Sequence, residues 1–107
     1  MMTSSIVFEI STTKYETDRE IVLSVMKDLQ SLCSVTDGFL LSNPVEKFGW
    51  TFFKLLFKNE LLSAIQEKFG AQIMSSKAKA VEEKFTEFIT KFFESKKCKV
   101  RMRLVED

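Results

Sequence analysis

Turn-forming residues are scarce in this chain, and their scarcity limits the folds open to it. Only three glycines and one proline occur among 107 residues. Tight turns need glycine for positive φ angles, and an all-β sandwich or barrel needs such a turn about every ten residues. The composition therefore argues against a many-stranded β fold and predicts that helices supply much of the mass.

Chain length and hydrophobicity predict one globular domain covering residues 1–107. Apolar residues make up 45% of the sequence and charged residues 29%, which is typical of a chain that folds around its own core. No apolar run approaches the roughly 20 residues of a transmembrane helix, and residues 1–11 lack the apolar segment of a secretory signal. We therefore expect a cytoplasmic protein that does not act in a membrane.

Strand and helix periods follow one another through the first half of the chain. Residues 5–11 place alternate apolar side chains on one side, which predicts a half-buried strand. Thr17 followed by Glu20 has the spacing of a helix capping box, and the apolar stripe after it continues to about Ser34. A short apolar run at 39–41 predicts a second strand.

Two helices and a strand are predicted in the second half of the chain. Asn59 is a candidate helix cap, and Gly70 is placed to end that helix in a left-handed conformation. A further helix with a phenylalanine-rich stripe is expected from residue 75 or 76 to about residue 97. Residues 98–104 then alternate between apolar and basic, which predicts a strand with its apolar side chains buried and its basic ones in solvent.

The segment between these halves favours a strand from Trp50 to Lys58. Its β-branched and aromatic residues are typical of strands, and Gly49 before it suits a hairpin with residues 39–42. The strand would turn four side chains to the core: Thr51, Phe53, Leu55 and Phe57.

A helix over residues 44–58 is the alternative. Asn43 would cap it, Pro44 would lie in its first turn, and Glu46 would stand three residues past the cap. Gly49 inside such a helix would cost about 1 kcal/mol relative to alanine.

The strand interpretation gives the order strand, helix, strand, strand, helical pair, strand. This order is that of an α+β, ferredoxin-like two-layer sandwich, βαββαβ, with the second helical segment split in two. The helix interpretation gives a three-stranded sheet with an additional helix at 44–58. Architectures of this class serve too many functions to indicate one.

The sequence shows no catalytic apparatus. It has no histidine, which removes the commonest general base and metal ligand, and its glycines form no phosphate-binding motif. Cys33 and Cys98 are too far apart in sequence for a zinc-binding pair and are interpreted as buried thiols. We expect no enzymatic activity, metal or cofactor; the alternative is a carboxylate or lysine site that only the fold assembles.

A basic segment spans residues 91–103, with six basic residues and one acidic residue. It makes nucleic acid an alternative partner, because lysine and arginine neutralise phosphates. The same charges also suit a helix C-terminus and an edge strand that must avoid unwanted pairing. The candidate nucleic-acid contacts are Lys96, Lys97, Lys99, Arg101 and Arg103.

The apolar excess of residues 48–57 indicates a partner surface. In the strand interpretation Trp50, Phe52 and Leu56 face away from the helices, and exposed apolar patches of this kind usually mark protein contacts. We therefore expect a protein–protein interaction module, such as a small accessory or inhibitor protein. A homodimer is its simplest form, because two-fold symmetry lets one patch cover its own copy.

Overall fold

Residues 6–105 fold into five strands and three helices. The computed structural model describes residues 6–105, so Ser5 of the predicted first strand lies outside the described residues. The elements are β1 (Ile6–Thr12), α1 (Tyr15–Cys33), β2 (Phe39–Leu41), β3 (Val45–Lys47), β4 (Trp50–Phe57), α2 (Asn59–Met74), α3 (Val81–Ser95) and β5 (Arg101–Leu104).

The strands make one antiparallel sheet in the order β2-β4-β1-β5, and β3 also pairs with β4. β2 lies opposite Leu55–Phe57, whereas β3 lies opposite Trp50–Phe52. β2 and β3 are therefore two pieces of one sheet edge, interrupted at residues 42–44. Pro44 in the gap has no N–H to donate, and a broken edge of this kind discourages pairing with a stray strand.

The predicted α+β class is confirmed, but the ferredoxin-like order is not. The sheet has five strands, and the third of them shares the β4 edge with the second. The alternative helix at 44–58 is wrong, because β3 and β4 occupy that segment. Gly49 has a φ of 80° and lies in the turn between these two strands, where it carries no helical penalty.

The core lies on one face of the sheet, where the three helices cover it. Thr51, Phe53, Leu55 and Phe57 are all buried, as predicted for a strand. The Phe8 ring of β1 lies 5.7 Å from the Phe57 ring and 6.2 Å from the ring of Phe85 in α3. Each helix adds its own buried stripe to the same cluster, and burial of these large side chains stabilises the fold.

Helix α1 begins two residues before the predicted Thr17 cap. The hydroxyl of Thr12, at the end of β1, accepts a hydrogen bond from the Lys14 N–H at 2.8 Å and donates to the Asp18 carboxylate. The end of the preceding strand thus fixes the first turn, through a contact that the capping-box spacing does not contain. The helix ends at Cys33, close to the predicted end, with Ser34 in the left-handed region.

Helix α2 does not end at Gly70 as predicted. It continues to Met74, and Ile73 in the added turn is buried. The predicted start of the next helix at 75 or 76 is also wrong, because α3 begins at Val81 after a turn. There the Glu83 carboxylate accepts a hydrogen bond from the Ala80 N–H at 3.2 Å. Burial of one more apolar turn therefore outweighs the local preference of glycine for a helix end.

The last strand is shorter than the predicted 98–104. Lys97 reverses the chain with a φ of 64°, Cys98 is buried beneath the helices, and pairing with β1 begins at Arg101. The basic side chains are exposed as predicted: Lys99, Arg101 and Arg103. The apolar ones, Val100, Met102 and Leu104, are only half-buried, because β5 forms the rim of the sheet.

Candidate interaction surface

The face of the sheet opposite the helices is the candidate site, and we call it the open face. Side chains alternate along a strand, so residues out of phase with the buried ones point to this face. Register then places neighbours beside one another in rows across the strands. The open face consists of Val7, Glu9, Ser11, Leu40, Val45, Lys47, Trp50, Phe52, Lys54, Leu56, Arg101, Arg103 and Val105.

One end of the open face is an apolar row. Leu40 lies opposite Leu56, and Leu56 lies opposite Val7. Val105 extends the row, because its N–H donates to the Val7 carbonyl at 2.8 Å. Leu40 is 53% exposed, so the row ends in an apolar side chain that the domain itself leaves open to solvent.

The middle of the open face is a charged row. Lys54 of β4 lies directly opposite Glu9 of β1, and Glu9 lies opposite Arg103 of β5. A nitrogen of the Arg103 guanidinium is 2.8 Å from a Glu9 carboxylate oxygen. The signs therefore read plus, minus, plus across three adjacent strands.

The other end of the open face is aromatic. Phe52 lies between Val45 of β3 and Ser11 of β1. Trp50 precedes it by two residues and points to the same side of β4. The Arg101 guanidinium stands 5.8 Å from the centroid of the Trp50 ring, within the range of a cation–π interaction. Half of Val45 is exposed beside these rings.

The β3–β4 turn extends this aromatic end with a fully exposed ring. Lys47 pairs with Trp50, which leaves Phe48 and Gly49 as a two-residue turn with φ angles of 54° and 80°. Positive φ at both positions is the geometry for which Asn-Gly is preferred, and a bulky side chain rarely adopts it. Phe48 is nonetheless 99% exposed, so the fold keeps a large apolar group in solvent on a strained backbone.

The structure places the three predicted interface residues on one face, with Leu56 at one end, Trp50 and Phe52 at the other, and Lys54 between them. Trp50, Phe52 and Leu56 all lie on the open face and are half-buried among their neighbours. Sequence reasoning missed Leu40, Val45 and Phe48. The position of Leu40 opposite Leu56 depends on strand register. Phe48 had a signal in the sequence, because it directly precedes Gly49 of the predicted hairpin.

The predicted nucleic-acid residues divide between two places. Lys96 points toward the helices, with its ammonium 3.5 Å from the Asp28 carboxylate of α1 and 5.7 Å from the Phe92 ring. Lys97 lies in the reversal after α3. Lys97, Lys99 and Arg101 nevertheless line one depression with Trp50, and Arg101 and Arg103 reach the open face on the paired part of β5.

The chemistry of the remaining polar groups is modest. Cys33 and Cys98 are free thiols, and burial raises the pKa of both, which makes the reactive thiolate less available. Among residues 6–105, no group of three His, Cys, Asp or Glu side chains could hold a metal ion. None of the helices in that range has the length and apolar character to cross a membrane.

Comparisons with known proteins do not assign the chain: no family model matches it, and neither curated proteins nor solved structures include a match.

Proposed function

We propose that the protein is a cytoplasmic protein–protein interaction module without enzymatic activity, and that it self-associates as a homodimer through the open face. The observation that carries this proposal is the set of apolar side chains on the uncovered face of the sheet. Trp50, Phe52 and Leu56 are its anchors, and an accessory or inhibitory role would use the same surface. Two free thiols fit a reducing compartment.

Burial of these anchors accounts for association in physical terms. Tryptophan and phenylalanine are residues that dominate interface energetics, and burial contributes about 25 cal/mol per Å² of apolar surface. Two-fold symmetry doubles each contact. After the cost of association is subtracted, we expect a dissociation constant in the micromolar range.

Phe48 adds independent support. An exposed phenylalanine on a positive-φ backbone lowers the stability of the isolated domain. Strained residues cluster at functional sites, where a contact or a mechanism outweighs their cost. A partner that covers the β3–β4 turn would use this ring.

Sedimentation equilibrium over a range of concentrations tests the proposal. The Trp50→Ser, Phe52→Ser double variant should remain folded and lose association. A matched control, Leu32→Ser with Met74→Ser, removes exposed apolar side chains from α1 and α2, away from the open face. This control should associate as the parent does. A parent that stays monomeric at millimolar concentration, or a double variant that associates equally well, would contradict the proposal.

Nucleic-acid binding is the second candidate, favoured by the contact between Arg101 and Trp50. An aromatic ring beside an arginine on an open sheet can stack a base while the cation meets a phosphate. Titration of the parent with single-stranded RNA at several salt concentrations tests it, because phosphate contacts give a steep negative slope. Arg101→Glu with Arg103→Glu should abolish binding, whereas Lys96→Glu should not. A parent that binds no RNA at low salt removes this candidate.

The finer architecture is also a proposal. If β2 and β3 are counted as one interrupted edge strand, the elements read βαββαβ with a split second helical segment. The sheet is then a variant of the ferredoxin-like plan. Support comes from the pairing of both pieces with the same strand, β4.

A further inference from the structure

The charged row of the open face specifies how two copies meet, given that the proposed self-association is correct. Glu9 is already bound by Arg103, whereas Lys54 has no carboxylate within 4.0 Å in the part of the chain that the structure describes. Lys54 lies at the centre of the face, between Leu56 and Phe52 on β4. Covering this ammonium without a counter-charge is costly, so an occupant of the face must bring an anion to it.

We infer that the two-fold axis of the dimer runs parallel to the strands, between β1 and β4, so that Lys54 of each copy pairs with Glu9 of the other. Such an axis sets the strands of the second copy in the reverse order over those of the first, and each row of the open face still lies over the same row of the other copy. β4 of one copy then covers β1 of the second, which sets Leu56 over Val7 and Phe52 over Ser11. The charged row meets its own reverse, so both ammonium groups receive a carboxylate.

The other in-register axis runs across the strands and brings like charges together. Through the charged row it would set Lys54 on Lys54, Glu9 on Glu9 and Arg103 on Arg103. If the same axis lay between the charged row and the aromatic end, Arg103 of one copy would face Arg101 of the other, and Glu9 would face Ser11 without a cation. Like charges in an interface cost affinity and exclude wrong orientations. Charge complementarity therefore selects the axis along the strands.

The dimensions suit a small interface of this kind. Four strand positions about 4.8 Å apart and a length of about 20 Å give a projected footprint of about 400 Å² per copy. Side-chain relief raises the accessible area above that figure, which places the dimer at the small end of specific interfaces. Aligned sheets pack about 10 Å apart with a rotation of about 30°, within reach of a lysine and a glutamate.

Charge reversal with cross-rescue tests the axis. Lys54→Glu leaves four carboxylates at the two contacts of its homodimer, and Glu9→Lys leaves four ammonium groups. Each variant alone should therefore have a dissociation constant at least about tenfold above the parent value. An equimolar mixture restores opposite charges at both contacts and should associate within about threefold of the parent. The Glu9→Lys, Lys54→Glu double variant should behave like the mixture.

Circular dichroism checks that each variant is folded. If a reversal variant does not fold, Lys54→Gln and Glu9→Gln replace it, and both should weaken the dimer and reduce its dependence on salt. Mixed together, these neutral variants should recover part of the lost affinity, because the mixed dimer keeps one Lys54–Glu9 contact whereas each variant homodimer keeps none.

Different outcomes test the orientation of the two-fold axis and self-association itself. A dimer that Trp50→Ser with Phe52→Ser dissociates, but that neither charge reversal weakens, keeps self-association and overturns the axis. Reversal variants that weaken the dimer without rescuing each other also overturn it. A monomeric parent, or one that binds only single-stranded RNA through this face, overturns both.

Discussion

Strand β4 has two faces with the same kind of side chain and opposite surroundings. Phe53 points to the helices and is 1% exposed, whereas Phe52, the preceding residue, points to the open face and is only half-buried. The first ring belongs to a continuous core, and the second lies beside Val45 and Ser11 with no helix above it. One apolar segment thus supplies both the fold and a surface, and its composition alone does not say which half does which.

The largest effect should separate these two phenylalanines. Phe53→Ala removes a fully packed ring and should lower the free energy of unfolding by about 3–5 kcal/mol. Phe52→Ala removes a ring with one side in solvent and should cost the monomer about 1 kcal/mol. Urea denaturation at a concentration below the association range measures both. Equal losses would mean that the open face is as closely packed as the core.

Two glycines near the helices should give the next largest contrast. A Cβ at Gly38 would lie 2.6 Å from the Leu61 Cβ, so Gly38→Ala should destabilise the fold by about 1–3 kcal/mol. A Cβ at Gly70 meets no heavy atom within 4 Å. Gly70→Ala lies inside α2 and should stabilise by about 0.5–1 kcal/mol. Shifts of the thermal midpoint in the same direction for both variants would contradict this account of the helical layer.

A substitution in the exposed β3–β4 turn should stabilise the protein. Phe48→Asn gives the β3–β4 turn the Asn-Gly sequence that its geometry favours and should raise the free energy of unfolding by about 1 kcal/mol. The same variant should weaken association if Phe48 is covered in the dimer. Denaturation and sedimentation of one sample separate the two effects. A less stable Phe48→Asn monomer would show that the ring packs within its own domain.

The smallest expected effect is a pH dependence of the free energy of unfolding, caused by the Cys98 thiol on the helix side of the sheet. Burial raises the pKa of the Cys98 thiol above its ordinary 9.0, with a smaller contribution from Asp18. The unfolded thiol therefore loses its proton first as pH rises through about 9, so stability should fall there, by at most about 1.4 kcal/mol per pH unit. Urea midpoints at pH 8 and pH 10 should differ more for the parent than for Cys98→Ala. Below pH 8, where the thiol is protonated in both states, the parent and Cys98→Ala should differ by a constant amount.

Prediction from sequence worked where a pattern is local and repeated. Alternation in residues 50–58 separated the core side of β4 from its open side, and the stripe after Thr17 located α1. Prediction failed where a single residue was taken as a helix boundary. Gly70 lies inside α2, and Thr17 lies inside α1 instead of capping it. Burial of Ile73 depends on the core around it, and the contact from Thr12 to Asp18 joins the end of β1 to the first turn of α1; each overrides a preference read from one residue.

The open face divides in the same way between local and tertiary causes. That Trp50, Phe52 and Leu56 share one side of a strand follows from a period of two, which is a property of the extended backbone. Their neighbours depend on register, which the sequence pattern left open: pairing sets Lys54 beside Glu9 and Arg101 beside Trp50. The charge pattern of the face exists only after strands far apart in the chain have aligned, because a shift of one residue would turn every one of these side chains to the other side.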